Sequence, residues 1–255
     1  MGKVKFQSEH GISTITLNRP EHYNALDFET LEQLHETLMK VKNNDDPVVI
    51  VTGEGKSFCA GGDIAMMKEI DELKFDQFMA TIEKVTTTLY LLPKIVIVAV
   101  NGSAVGLGMS LALNSDYIVA HQEAKFGMLF AGIGLFPDGG GHFFLKERIG
   151  THRAKQFIWS MNQVEGKQAK DLGLVDLLAE KDAKYEAKLL AQKVLQSPLK
   201  AIVQTKLVFH ESQIDELIHY LRKEKDGQLK LTKTKDYSEG VKAFLEKRKP
   251  TFYGE

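Results

Sequence analysis

Residues 93–113 read PKIVIVAVNGSAVGLGMSLAL, and the order of residue types along them decides the fold class. Ile95–Val100 is an unbroken apolar run, mostly β-branched, bounded by Pro93 and the Asn101-Gly102 pair. A run of that length closed by a turn residue reads as a strand buried on both faces. A glycine-rich turn follows through Gly102, Gly106 and Gly108, and residues 106–114 return to a helix-forming composition. Strand, glycine turn and helix therefore succeed one another within some twenty residues. The same order recurs on either side. PVVIVTG (47–53) and DYIVAH (116–121) are two further short apolar runs. Between the first two strands, residues 64–92 read as helix, with Phe75, Phe78, Met79 and Ile82 on one face. Strands alternating with helices over short intervals predict an α/β fold with parallel strands and helical crossovers.

Further out, VKFQSEHGISTITLNRP (4–20) alternates on both sides of His10-Gly11 and reads as a hairpin ended by Pro20. Leu31, Leu34, Leu38 and Val41 give residues 28–43 a helical period. Residues 151–160 and 165–172 also read as helices, and 182–249 as a long Lys/Glu-rich helical region. The expected division is a core over residues 1–195 and a helical C-terminal region over 196–255, with no low-complexity linker.

The chain has 255 residues, 33 basic and 34 acidic, and a net charge of −1. That balance argues against a nucleic-acid partner. A single cysteine, Cys59, excludes an internal disulfide framework and a cysteine-rich zinc site, so no metal is expected. No apolar run approaches the ~20 residues of a membrane span. The opening MGKVKFQSEHG lacks a signal-like apolar segment, so the expected compartment is the cytoplasm. The near-zero total hides an asymmetry, because residues 181–255 hold 16 basic against 11 acidic side chains.

Three glycine clusters stand where strands meet helices: 59–63 (CAGGD), 102–108 (GSAVGLG) and 138–141 (DGGG). Such turns let the backbone approach a ligand and leave N–H groups free to meet negative charge. Neither nucleotide-binding pattern is present. Gly102, Gly106 and Gly108 do not have the G-x-G-x-x-G spacing, and the glycine that should precede Gly55-Lys56-Ser57 is Ile50.

Five segments in order resemble the crotonase (enoyl-CoA hydratase/isomerase) superfamily: LNRPEHYNAL (17–26), VVIVTGEGKSFCAGGDI (48–64), residues 93–113, DYIVAHQEAKFG (116–127) and EGVKAFLEKRKPTF (239–252). The resemblance implies a spiral of repeated β-β-α units. It implies a helical C-terminal region that builds a homotrimer or a dimer of trimers. It also implies an acyl-CoA thioester substrate, with coenzyme A as part of that substrate and no separate cofactor. In this family two backbone amides hold the thioester oxygen as an enolate forms, and here they fall on Gly62 and Leu107. Ala25, Ala60, Gly61, Asp63 and Ile64 are implied along the CoA path, although Asp63 has an equal claim as a helix N-cap. Phe244 and Lys247 of a neighbouring subunit are implied beside the CoA. Phe130 and Phe136 are candidates for the acyl pocket.

The sequence departs from the family's hydratases at both acid positions. The two glutamates that activate and deliver water fall on Ser110 and Phe130. Neither side chain does that work near neutral pH. One acid remains nearby, Asp138 in GLFPDGGG (134–141), where family isomerases lacking the usual glutamate carry an aspartate in a similar Pro-Asp turn. One carboxylate suffices to move a proton between two carbons of the acyl chain. Pro-Asp-Gly is also a turn signal in its own right, so Asp138 has a purely local reading. A dehalogenase-like nucleophile is a further alternative, although that branch relies on a pocket tryptophan and Trp159 lies outside the matched segments. The expectation is an enoyl-CoA isomerase. Hydration, hydrolysis and a non-catalytic acyl-CoA-binding role stand as alternatives.

Overall fold

A computed structural model describes residues 2–255. The hairpin pairs β1 (Val4–Glu9) with β2 (Ile12–Leu17). Helix α1 (Phe28–Lys42) follows, its first turn capped by Asp27, whose carboxylate accepts from the Thr30 amide. Three β-β-α units come next. β3 (Val48–Gly53) and β4 (Ser57–Cys59) precede α2 (Ile64–Glu69) and α3 (Glu72–Tyr90). β5 (Ile95–Val100) and β6 (Ser103–Val105) precede α4 (Leu107–Leu113). β7 (Tyr117–His121) and β8 (Lys125–Gly127) precede a 3-10 turn (Leu129–Ile133) and α5 (Gly141–Ile149).

The first strand of each unit joins a six-stranded sheet in the order β1-β2-β3-β5-β7-β10, where β10 is Leu177–Ala179. The second strand joins a four-stranded sheet in the order β4-β6-β8-β9, where β9 is Val164–Glu165. Pairing is parallel except in the hairpin and between β8 and β9. The chain thus turns a corner after each long strand and winds as a spiral. This is the β-β-α architecture expected. β3 and β5 are buried along their whole length, as their unbroken apolar runs require.

The remaining helices are α6 (Thr151–Ser160), α7 (Gly166–Asp171), α8 (Ala183–Leu195), α9 (Leu199–Leu231) and α10 (Lys235–Leu245). Leu217 and Leu221 of α9 and Tyr237 and Val241 of α10 belong to the same buried cluster as the spiral. An ion pair with a buried lysine also ties α9 down: Lys206 Nζ lies 2.7 Å from Asp116 Oδ2 and donates to Lys94 O.

Boundaries differ from expectation at three places. The helix predicted over 64–92 is two helices, because Asp71 caps a new first turn by accepting from the Lys74 amide. The helix predicted from 165 starts at Gly166, with Glu165 paired to Lys125 in β9. The long C-terminal segment breaks at Pro198 and again at Thr234, which caps α10.

Candidate active site

The glycine turns preceding α2 and α4 face each other in the lining of an apolar cleft of about 270 Å³. Its walls include Ile64, Met67, Phe78, Phe130 and Leu135, and Asp138 also lines it. The first turn is held from behind. Leu26 donates to Gly61 O and accepts from the Asp63 amide, which leaves the intervening Gly62 amide pointing away from that bridge. The second turn is Val105-Gly106-Leu107. Gly106 sits at φ +55°, which favours glycine, and Leu107 is the first residue of α4. Among the described residues neither the Gly62 nor the Leu107 amide donates to a protein acceptor. A Cβ built on Gly61 would stand 2.9 Å from Val105 O and 3.4 Å from Leu107 N. The gap between the turns is therefore open only because position 61 carries no side chain. Two unsatisfied donors beside an apolar cleft can hold an oxygen that gains negative charge.

Asp138 comes from the turn between the 3-10 turn and α5. It is 5% exposed. Its Oδ2 accepts from Gln228 Nε2 at 3.0 Å, and its Oδ1 has no protein partner. Burial pushes its carboxyl up to about 8, with the nearby Glu224 adding to the rise and the Gln228 hydrogen bond opposing it. Glu224, itself 1% exposed, fastens the same turn from α9. Its two oxygens accept from the Gly140 amide at 2.8 Å and the His142 amide at 3.2 Å, and it pairs with His142 Nδ1 at 2.8 Å. Among the described residues the cleft lining thus combines one carboxylic acid, pushed up to about 8, with two free amides and apolar walls.

A family model described as enoyl-CoA hydratase/isomerase matches residues 7–255. The chain belongs to the enoyl-CoA hydratase/isomerase family. YhaR of Bacillus subtilis (strain 168), whose name carries the same hydratase/isomerase description, is 42% identical over 98% of this chain and 98% of its own. The 1,2-epoxyphenylacetyl-CoA isomerase of Escherichia coli (strain K12) is 34% identical over 96% of each chain. Among solved structures, an enoyl-CoA hydratase from Mycobacterium avium subsp. paratuberculosis K-10 superposes with a TM-score of 0.91 at 28% identity, covering 99% of both chains. This is a family of acyl-CoA enzymes, and its members' names divide between hydratase and isomerase.

Against the family's hydratase pattern, this cleft is short of acids. Ser110 is fully buried on α4 and its Oγ has no partner. Phe130 presents a ring to Gly106. Of the residues expected from the sequence, Asp138, Gly62, Leu107, Ala60, Gly61, Ile64, Phe130 and Phe244 all line the cleft. Four do not. Asp63 faces backward: it caps α2 by accepting from the Met66 amide and takes two hydrogen bonds from the Arg19 guanidinium, each 3.2 Å. Ala25 stands behind the turn, its carbonyl accepting from Arg19 Nη1 at 2.7 Å. Phe136 turns toward α9, packing on the His142 ring at 5.2 Å and against Gly227. Lys247 is exposed beyond the end of α10 and outside the lining.

Phe244 lines the cleft of its own chain. Helix α10 folds back on the 3-10 turn, with Gly240 against Ile133 and the Tyr237 hydroxyl 3.5 Å from Met67 O. Cys59 is buried packing. Its thiol is pushed up to about 12 by burial, and Gly108 sits on it. Trp159 is exposed and outside the cleft. Sequence reasoning did not reach Glu224 and Gln228. Both lie in a charged helical segment more than eighty residues from the turn they hold.

Proposed function

We propose that this protein shifts the carbon–carbon double bond of an enoyl-CoA thioester, with Asp138 as the base and the Gly62 and Leu107 amides as the oxyanion hole. The thioester oxygen accepts from both amides. Asp138 takes a proton from C2 of a 3-enoyl chain. The released electron pair delocalises onto the thioester oxygen, forming a dienolate. Asp138 then returns a proton at C4, the carbonyl re-forms, and the double bond ends between C2 and C3. Nothing is oxidised or reduced, and no water is consumed. Two preorganised donors at an oxygen that becomes charged contribute roughly 3–4 kcal/mol each.

The observation that carries the reading is the placement of Asp138. Among the described residues it is the one carboxylate in the lining of the cleft that also holds Gly62 and Leu107, whose amides are free. The two hydratase acid positions hold Ser110 and Phe130, so no pair of acids is available to activate and deliver water. A carboxyl raised to about 8 suits proton removal from carbon better than an ordinary one. The base works ionised, so turnover should rise with pH and level off above about 8.

Purified protein offered 3-enoyl-CoA and 2-enoyl-CoA in parallel tests this. The expected result is rapid formation of the conjugated thioester from the first and slow water addition to the second. Hydration faster than isomerisation would overturn the reading, and so would acyl-CoA binding without any turnover.

A further inference from the structure

We propose that Gln228 is the positioning residue of Asp138, fixing one carboxylate oxygen from α9 and leaving the other unpaired to move the proton. The proposal rests on Asp138 acting as the base. Gln228 is completely buried. Its Nε2 donates to Asp138 Oδ2 at 3.0 Å and to Phe136 O at 2.8 Å, using both of its protons. The two acceptors also fix which way the amide points, because a flipped amide would set oxygen against oxygen at both contacts. The second amide contact anchors the turn's own backbone two residues before the aspartate. Gln228 therefore locks the Asp138 side chain relative to the chain that carries it. Asp138 Oδ1 is buried and, among the described residues, is left without a partner, while Asp138 itself lines the cleft.

An aspartate has two rotatable side-chain bonds, and a buried one with no fixed oxygen would sample other rotamers. Glu224 lies one helical turn before Gln228 on the same face of α9 and grips the far side of the turn through Gly140 and His142. Helix α9 thus controls the base at two points with separate tasks. Glu224 holds the backbone, and Gln228 holds the carboxylate. Gln228 Oε1 has no partner. The amide is kept buried despite that unsatisfied oxygen because it serves two acceptors, Asp138 Oδ2 and Phe136 O, which an apolar side chain would leave without this donor.

The surroundings of Asp138 leave Gln228 little competition. From α9 the charged group is Glu224, and from α5 it is His142, already held on Glu224. Helices α3 and α4 bring Ile82, Leu107 and Ser110 against the turn, none of which titrates near neutrality. The Gln228 hydrogen bond favours the ionised carboxylate against burial and against Glu224.

The test is Gln228→Met, close in volume and lacking the amide. The expected result is a kcat about 10- to 100-fold lower, since misplacing a reacting group by an ångström costs on the order of 100-fold. KM should change by less than about 3-fold, as no acyl-CoA contact is removed. The rising limb of kcat against pH should move to higher pH, a change that a purely structural role would not produce. The double variant with Asp138→Asn should be no slower than Asp138→Asn alone. If Gln228→Met does not fold, Gln228→Asn keeps the amide but withdraws it by one methylene, and the same expectations apply to it. Wild-type kcat and pH limb in the folded variant would overturn the proposal, as would a full additional loss in the double variant. An Asp138→Asn protein that still isomerises would overturn the reading of the base itself. An inactive Asp138→Asn beside an unaffected Gln228→Met would overturn only the role of Gln228.

Discussion

Replacing Asp138 by asparagine should stabilise the protein at neutral pH, and by an amount that depends on pH. The carboxyl is pushed from an ordinary 3.8 to about 8 in the folded chain, chiefly by burial. Between those two values the folded state keeps a proton that the unfolded state has released. Stability falls with rising pH wherever the folded state binds more protons, so this group's contribution declines from about pH 4 to about pH 8 and is constant above. Each pH unit in that interval is worth about 1.36 kcal/mol. Near pH 7 the accumulated cost is therefore on the order of 4 kcal/mol, a large share of the ~5–15 kcal/mol that stabilises a typical domain. Asparagine has nearly the same shape, can accept the Gln228 hydrogen bond and does not titrate. Urea unfolding of both proteins across this range is the assay. The midpoint difference should be small near pH 4, favour the variant by growing amounts toward pH 8, and then stop growing, with the m-value unchanged. Parallel midpoints across the whole range would refute the reasoning, because they would show that Asp138 ionises in the folded chain as easily as in the unfolded one.

Other consequences follow from the same geometry. Gly61→Ala places a methyl between the two glycine turns, close to Leu107 N, at a φ of +98°. Isomerisation should fall by about 100- to 1,000-fold, comparable to losing one oxyanion donor, and steady-state kinetics with 3-enoyl-CoA would read it. Met67 forms a wall of both the cleft and a second hollow of about 420 Å³ between α2, α3 and α10. Met67→Ala should join them and raise kcat/KM for long-chain relative to short-chain enoyl thioesters, measured over a chain-length series. Lys206→Ala leaves Asp116 without its ion partner beneath α9. Because Asp116 is half-buried and keeps its hydrogen bond from the Val96 amide, the loss should cost about 1–3 kcal/mol, visible in urea unfolding.

The parts of the fold legible in the sequence are those whose residues repeat a physical signal. β3 and β5 announce themselves because strands buried on both faces need unbroken apolar runs. The hairpin turn at His10-Gly11 is written in residues that tolerate positive φ. The four-stranded sheet was silent, because its strands are two or three residues long and too short to carry any period. Helix α5 was silent for another reason. Its start is a run of glycines, which reads as a turn until Glu224 supplies the acceptor for the Gly140 amide.

The candidate site divides along the same line. Gly62, Leu107 and Asp138 sit in local turns with their own motifs, and they were readable. Asp63 was ambiguous because a cap and a ligand contact demand the same residue type; its carboxylate caps α2 through the Met66 amide and pairs with Arg19. Gln228 and Glu224 could not be found from local pattern. Each looks like one more polar residue on a charged helix until α9 is laid across the Asp138 turn.

If one carboxylate moves the proton, kcat for 3-enoyl-CoA will separate wild-type from Asp138→Asn protein, with acyl-CoA affinity measured beside it. The prediction is a fall of about 100- to 10,000-fold in kcat, the usual contribution of a positioned acid–base group, with affinity unchanged. An Asp138→Asn protein that isomerises within a few-fold of wild type would contradict it.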